Sequence, residues 1–170
     1  MTDLFTSIEG STLAAWVRES PSIWAYATIL TLHTVGLAIV VGANAVVDLR
    51  LLGWAPAISL TALRAVFPIM WAGFAINLAS GVLLFMADAT TKSGQRVFWV
   101  KLACITLALL VARTVAKRIG PANHLRQRYG AQEAGHHIGI TADSNLRLLA
   151  AVSLFLWAGA IVAGRLMAYL

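Results

Sequence analysis

The sequence predicts an all-α integral membrane protein, a four-helix bundle preceded by a short helix at the membrane surface. Of its 170 residues, 59% are hydrophobic and only 12% are charged, whereas soluble domains carry about 25% charged residues. Four apolar segments are also present, at 23–47, 66–87, 97–116 and 147–169. Each is close to the ~20 residues that a helix needs to cross a bilayer.

The N-terminal segment, residues 1–20, is too short and too polar to cross the bilayer. Its apolar residues, among them Leu4, Ile8 and Val17, recur at roughly helical spacing. This pattern is typical of an amphipathic helix that lies in the membrane interface. Acidic residues precede the first span, in place of the basic region of a signal peptide, so we expect that span to be retained. Residues 21–170 are then a single four-span transmembrane domain.

The distribution of lysine and arginine predicts the orientation in the membrane. We interpret residues 117–145, between the third and fourth spans, as a long polar loop that contains Lys117, Arg118, Arg126 and Arg128. The positive-inside rule places this loop in the cytoplasm and both termini in the periplasm of a bacterial inner membrane. The net charge of +6 suits contact with anionic lipid and not nucleic-acid binding, because no soluble domain presents a basic patch.

The most informative residue is His33, near the middle of the apolar run 24–47. An ionisable residue at bilayer depth is costly and by default marks a functional site. Steps of three and four residues from His33 place Gly36, Asn44 and Asp48 on its face of the helix, which we expect to point into the bundle. Gly36, one turn away, is expected to leave room beside the imidazole for a flat or bulky group.

Polar residues of the other spans are expected near the same end of the bundle as His33. Asn77 in the second span can hydrogen-bond across helices, and Asp88 closes that span. Lys101 lies about one turn inside the third span, and Arg165 about one turn from the C-terminus. Because the spans alternate in direction, Asp88, Lys101 and Arg165 belong near the outer surface, with His33 below them.

This layout suits a haem b and a role in electron transport. His33 would be the axial ligand of the iron, Gly36 would supply space, and Lys101 and Arg165 would hold the propionates.

Membrane cytochromes of the b type usually have two axial histidines, and only one histidine lies at this depth here. A second ligand would have to come from Met86 or Met167, from another copy of the chain or from a partner subunit, or the position would lack a protein ligand.

Two other functions remain open. In a non-catalytic scaffold or accessory subunit of a larger complex, His33 and Asn77 would serve packing, and Asp88 would pair with Lys101 or Arg165. In an oligomeric channel or transporter, His33, Asn44, Asp48 and Asn77 would line a polar path, although no inverted repeat typical of secondary transporters is present. A homo-oligomer or association with partner membrane subunits is expected in each case. No hydrolytic or transferase motif occurs.

A second group of histidines, His124, His136 and His137, lies with Glu133 in the expected loop. Imidazole and carboxylate groups suit zinc, copper or nickel, but this spacing matches no established zinc motif. A solvated basic loop is the preferred interpretation.

The stretch TLHTVGLAIVVGANAVVDLRLLG resembles the first helix of an uncharacterised family of short bacterial four-helix integral membrane proteins, and FWVK (98–101) and AGRLMAYL (163–170) resemble its later parts. The residues that match the family's pattern are His33, Gly36, Asp48, Arg50, Lys101 and Arg165. A looser likeness is to the copper-resistance D-type and cytochrome b561-type membrane proteins, whose multiple intramembrane histidines this chain lacks.

Overall fold

The described part of the chain is built of helices and their connections. A computed structural model describes the backbone of residues 2–137 and 144–169, and the side chains of 3–59, 62–119 and 144–169. Its long helices are α3 (Tyr26–Leu52), α4 (Leu60–Met86), α6 (Arg96–His137) and α7 (Ser144–Leu166). The short ones are α1 (Thr2–Glu9), α2 (Thr12–Glu19) and α5 (Ala89–Gly94).

Four helical segments are long and apolar enough to cross a membrane, which confirms the four-helix prediction. They are Tyr26–Leu52, Ala62–Met86, Arg96–Ile119 and Ser144–Leu166. The first lies a few residues later than the sequence indicates, because residues 21–25 form a cap and turn before α3 begins. Helix α3 also buries the face that was predicted to point into the bundle, including Gly36, Asn44 and Asp48.

The prediction of a loop at 117–145 is wrong over most of its length, because α6 continues as a helix to His137. Residues 122–134 are rich in alanine, arginine, glutamine and glutamate, which are good helix formers. These residues have no apolar stripe, and this argues against a membrane span. It does not argue against a helix.

The N-terminal segment forms two helices, because Gly10 and Ser11 interrupt it. The Ser11 hydroxyl accepts a hydrogen bond from the Ala14 amide at 3.3 Å and so caps α2. Val17 of α2 is fully buried and packs with Ile29 and Ala87. The segment therefore lies across one end of the bundle, with α5, at the N-terminus of α3. We call this the His33 end.

The long helices pack unevenly. The α3–α4 and α6–α7 pairs have extensive interfaces, α3 also packs on α7, and α4 and α6 touch at few points. At the end opposite His33, these helices share a core of Val47, Leu51, Leu63, Val115, Ile119 and Ala150. The bundle is thus closed on three sides and open between α4 and α6.

Two glycines determine how closely α3 and α4 approach each other. A Cβ atom on Gly36 would lie 2.7 Å from the Asn77 amide nitrogen, and one on Gly73 would lie 2.5 Å from Ile39 Cγ2. Small residues of this kind allow close backbone approach in membrane bundles. The space beside Gly36 is therefore filled by the α4 backbone, and the expectation that it accommodates a cofactor is wrong.

We predict that Gly36→Ala destabilises the protein by about 1–3 kcal/mol, as overpacking of a tight interface does. Thermal unfolding in detergent micelles measures the effect. Gly42→Ala is the matched control on the same helix, because nothing lies within 4 Å of a Cβ at Gly42. Equal stability of Gly36→Ala and Gly42→Ala would contradict the close contact.

Candidate functional site

His33 is held by α4 through one nitrogen of its ring. Nδ1 lies 3.0 Å from the backbone carbonyl oxygen of Asn77 and 3.2 Å from the Ser80 hydroxyl. A carbonyl oxygen only accepts hydrogen bonds, so Nδ1 is the donor. The Ser80 hydroxyl donates its own proton to the Ile76 carbonyl at 2.6 Å and is free to accept from Nδ1. In the neutral imidazole the proton is therefore on Nδ1, and Nε2 carries the lone pair.

The Asn77 side chain agrees with this assignment. Its amide nitrogen Nδ2 donates to the His33 backbone carbonyl at 2.8 Å. The same nitrogen lies 3.3 Å from His33 Nδ1, but a protonated Nδ1 cannot accept from it. Two hydrogen bonds thus join His33 and Asn77 across the α3–α4 interface. In each, the side chain of one residue donates to the backbone carbonyl of the other. The arrangement fixes the imidazole in position.

Nε2 of His33 has no hydrogen-bond partner among the described residues. The ring is half-buried and lines a cavity of about 620 Å³ at the His33 end. Gly81 of α4 lies against the ring, and a Cβ there would be 3.0 Å from Cε1. Gly81, not Gly36, therefore provides the space beside the imidazole.

Charged groups line this first cavity, which we call the polar arm. They are Glu9, Arg18, Asp88, Lys92 and Lys101. Arg18 forms ion pairs with Glu19 at 2.8 Å and Glu9 at 3.7 Å, and Lys92 pairs with Asp88 at 3.5 Å. Lys101 has no ion-pair partner in the described part of the chain. Its side chain runs past Gly164, where a Cβ would lie 3.5 Å from Lys101 Cε.

A second cavity of about 460 Å³, which we call the apolar arm, lies between α4 and α6. His33, Gly81, Phe85, Phe98 and Lys101 line both arms, so the arms meet at the histidine. The rest of its lining is mostly aromatic and aliphatic: Phe5, Phe74, Leu78, Val82, Trp99, Leu102, Ile105 and Leu109. Several of these side chains are exposed, and the apolar arm opens sideways, toward lipid in a membrane. The two arms together are the His33 cleft.

Of the expected residues, the structure brings His33, Asn77, Asp88 and Lys101 to the cleft but not Gly36 or Arg165. Lys101 and Asp88 line it, and Asn77 orients His33. Arg165 lies outside the lining, exposed, with its guanidinium 5.6 Å from the centre of the Tyr169 ring. Arg18 occupies the position expected of Arg165. No local pattern in the sequence indicates this, since Arg18 reaches the cleft only because α2 folds over the bundle end.

The two methionines considered as second ligands differ in position. Met167 lines the polar arm, whereas Met86 is outside the lining of both arms.

A separate polar cluster connects α3 and α7. The Asn44 amide donates to Asp48 at 2.5 Å and to the Ser153 hydroxyl at 2.8 Å, and all three side chains are buried. Arg50 donates to the Ile58 carbonyl at 2.6 Å and fixes the α3–α4 connection. These residues are outside the cleft lining, and their contacts are structural.

The histidines of the second group, His124, His136 and His137, lie outside the residues whose side chains are described. Among the described residues, no group of three histidine, cysteine, aspartate or glutamate side chains could hold a metal ion.

A hydrogen-bonded contact holds the N-terminal helices over the polar arm. Glu9 accepts from the Thr90 amide at 2.9 Å and from the Thr90 hydroxyl at 2.5 Å. These bonds, with a smaller contribution from Arg18, lower the pKa of Glu9 below its usual value of 4.5. Arg18 donates to the Ala87 carbonyl at 3.2 Å. The contact therefore ties α1 and α2 to the C-terminus of α4 and to α5.

We predict that α1 is held less firmly in acid. A carboxyl group with a lowered pKa stabilises the folded contact above its unfolded pKa, and the effect is lost as the pH falls through the lowered value. Hydrogen exchange of the α1 amides should therefore quicken as the pH is lowered below about 4.5, after correction for the intrinsic rate. Glu9→Gln should show quick exchange at neutral pH, and Asp3→Asn in the same helix should behave as the unmodified protein. Unchanged exchange in Glu9→Gln would contradict the contact.

Comparison with protein-family models, curated proteins and solved structures finds no match to this chain.

Proposed function

We propose that the chain is a haem-binding, redox-associated membrane subunit in which His33 Nε2 is an axial ligand of the iron. The observation that carries this proposal is the hydrogen bond from His33 Nδ1 to the Asn77 carbonyl. Metal-ligating histidines almost always donate their other ring N–H to a carbonyl or carboxylate, which fixes the tautomer and raises the basicity of the ligand. His33 has this arrangement and no partner on Nε2 among the described residues.

The shape and polarity of the cleft fit a haem. Haem is a flat apolar macrocycle with two carboxylates at one edge, and the cleft is an apolar arm joined to a charged one, whose lining holds three cations and two carboxylates. Each arm, at about 620 and 460 Å³, is within the 300–1,000 Å³ of ordinary ligand sites. The aromatic side chains of the apolar arm would contact the macrocycle. Lys101 and Arg18 would bind the propionates, replacing the expected pair of Lys101 and Arg165.

Haem bound here would supply one-electron redox chemistry, while the protein supplies binding, orientation and electrostatics. His33 would hold the iron, and the Asn77 carbonyl and Ser80 hydroxyl would fix the ring. Gly81 lies against the ring and makes room for it, because a Cβ there would be 3.0 Å from Cε1. Lys101 would offset the negative charge of a propionate inside the bundle, where an unpaired charge is costly. Of this chain's methionines weighed as second ligands, Met167 is favoured over Met86 because it lines the cleft.

A second proposal is an accessory subunit without a cofactor. The opening between α4 and α6 favours it, because a partner's transmembrane helix could occupy the apolar arm. Both proposals fit a bacterial inner-membrane protein with the His33 end on the periplasmic side, alone, as an oligomer or with partner subunits.

Haem titration of the purified protein in detergent tests the proposal. We predict saturable binding of one haem per chain, with a shifted Soret band. His33→Ala should lose the shifted band or weaken haem binding more than tenfold. Loss of only a hydrogen-bond partner of a metal ligand already lowers metal affinity by about 10–100-fold. Lys101→Gln should weaken binding by about 10- to 100-fold, because a charge-assisted hydrogen bond contributes about 1.5–3 kcal/mol.

His124→Gln is the control and should bind haem as the unmodified protein does. No Soret shift with the unmodified protein would refute haem binding. An unchanged spectrum in His33→Ala would refute the ligand assignment alone. Copurification of a stable partner membrane protein, with no haem bound, would favour the proposal of an accessory subunit.

A further inference from the structure

A third cavity, distant from the His33 cleft, carries positive charge. It measures about 550 Å³ and is lined by Trp71 of α4 and by Arg113, Ala116 and Lys117 of α6. Arg113 and Lys117 lie where the apolar run of α6 gives way to the charged residues Lys117 and Arg118, at the end opposite His33. We propose that this cavity binds the phosphate of an anionic phospholipid.

The spacing of the two cations favours an anion between them. Residues four apart on a helix are neighbours, and like charges in this arrangement repel. No acidic side chain lines the cavity, and neither cation forms an ion pair within the described residues. Ala116 adds only a methyl group to the lining and leaves room for a phosphate group. A bound phosphodiester would remove the repulsion and accept hydrogen bonds from both side chains.

The depth of the cavity matches the lipid headgroup region. Arg113 lies four residues before Lys117, where the apolar run of α6 ends in Lys117-Arg118, which is about 6 Å along a helix, and a long arginine side chain can extend outward over that distance. Trp71 is held by an edge-to-face contact with Phe74, with ring centroids 5.9 Å apart. Its exposed indole can pack against the glycerol and first acyl carbons of a lipid.

The loose packing of α4 against α6 explains why a lipid is the occupant. The cavity is lined by α4 and α6, whose backbones approach each other at few points along their length, so acyl chains can lie along this face of the bundle while the headgroup reaches the cations. A zwitterionic lipid carries its own ammonium group and gains less from two cations. A lipid with net negative charge is therefore preferred, consistent with basic pockets between membrane helices that bind such headgroups.

Native mass spectrometry of the full chain in detergent tests the proposal, with phosphatidylglycerol and phosphatidylcholine of identical acyl chains as probes. We expect phosphatidylglycerol to bind at least tenfold more tightly, and Arg113→Gln/Lys117→Gln to lose this preference. Each single variant should lose part of it. Arg147→Gln, which removes an exposed cation at the same end but outside the cavity lining, is the matched control and should keep the preference.

Equal binding of the two lipids, or an unchanged preference in the double variant, would overturn the proposal. Displacement of phosphatidylglycerol by millimolar inorganic phosphate would also overturn it, because the site would then be a phosphate site and not a lipid site. Circular dichroism at the temperature of the measurement verifies that each variant is folded. If the double variant does not fold, the single variants decide the result. Haem binding is not involved, so the outcome is independent of the function proposed for the His33 cleft.

Discussion

The close contact between α3 and α4 is the constraint on which the rest of the His33 end depends. Gly36 and Gly73 let the two backbones approach until a Cβ on either would lie within 3 Å of the other helix. Only at this separation can Asn77 reach the His33 carbonyl while the His33 ring reaches the carbonyl of Asn77. A wider separation would break both hydrogen bonds and release the imidazole into the cleft.

The uneven packing of the other helices follows from the same distribution of small residues. Glycines permit the tight α3–α4 pair, whereas bulky side chains such as Phe74, Leu102 and Ile105 lie between α4 and α6. These side chains hold the two helices apart, and the bundle remains open on one side. The apolar arm near His33 and the cationic cavity near Trp71 both lie along this opening. The N-terminal helices cover the His33 end, and Arg18 and Glu9 reach the polar arm from them.

The sequence was sufficient for the spans and the inward face of α3, because each follows from local hydropathy and helical spacing. It was insufficient for the role of Gly36, since a small residue next to a histidine suits a ligand and a neighbouring backbone equally well. The distinction depends on which helix packs there. For the same reason the contact of Gly81, on another helix, with the His33 ring was missed, and Arg165 was expected at the cleft, where Arg18 lies.

The extension of α6 to His137 shows another limit of apolar periodicity. A polar segment of good helix formers has no apolar stripe, and its helix is visible only from residue propensities. Whether such a segment continues the preceding helix depends on the helix propensity of the residues that directly follow the membrane span.

The most direct test of the account is the tautomer of His33 in the protein without haem. ¹⁵N NMR of histidine-labelled protein in lipid nanodiscs, with His124, His136 and His137 replaced by glutamine, would report His33 alone. The account predicts a proton on Nδ1 and an unprotonated Nε2. A proton on Nε2 with an unprotonated Nδ1 would contradict it, because the Asn77 carbonyl would then receive no hydrogen bond from His33 and Nε2 would have no lone pair to offer.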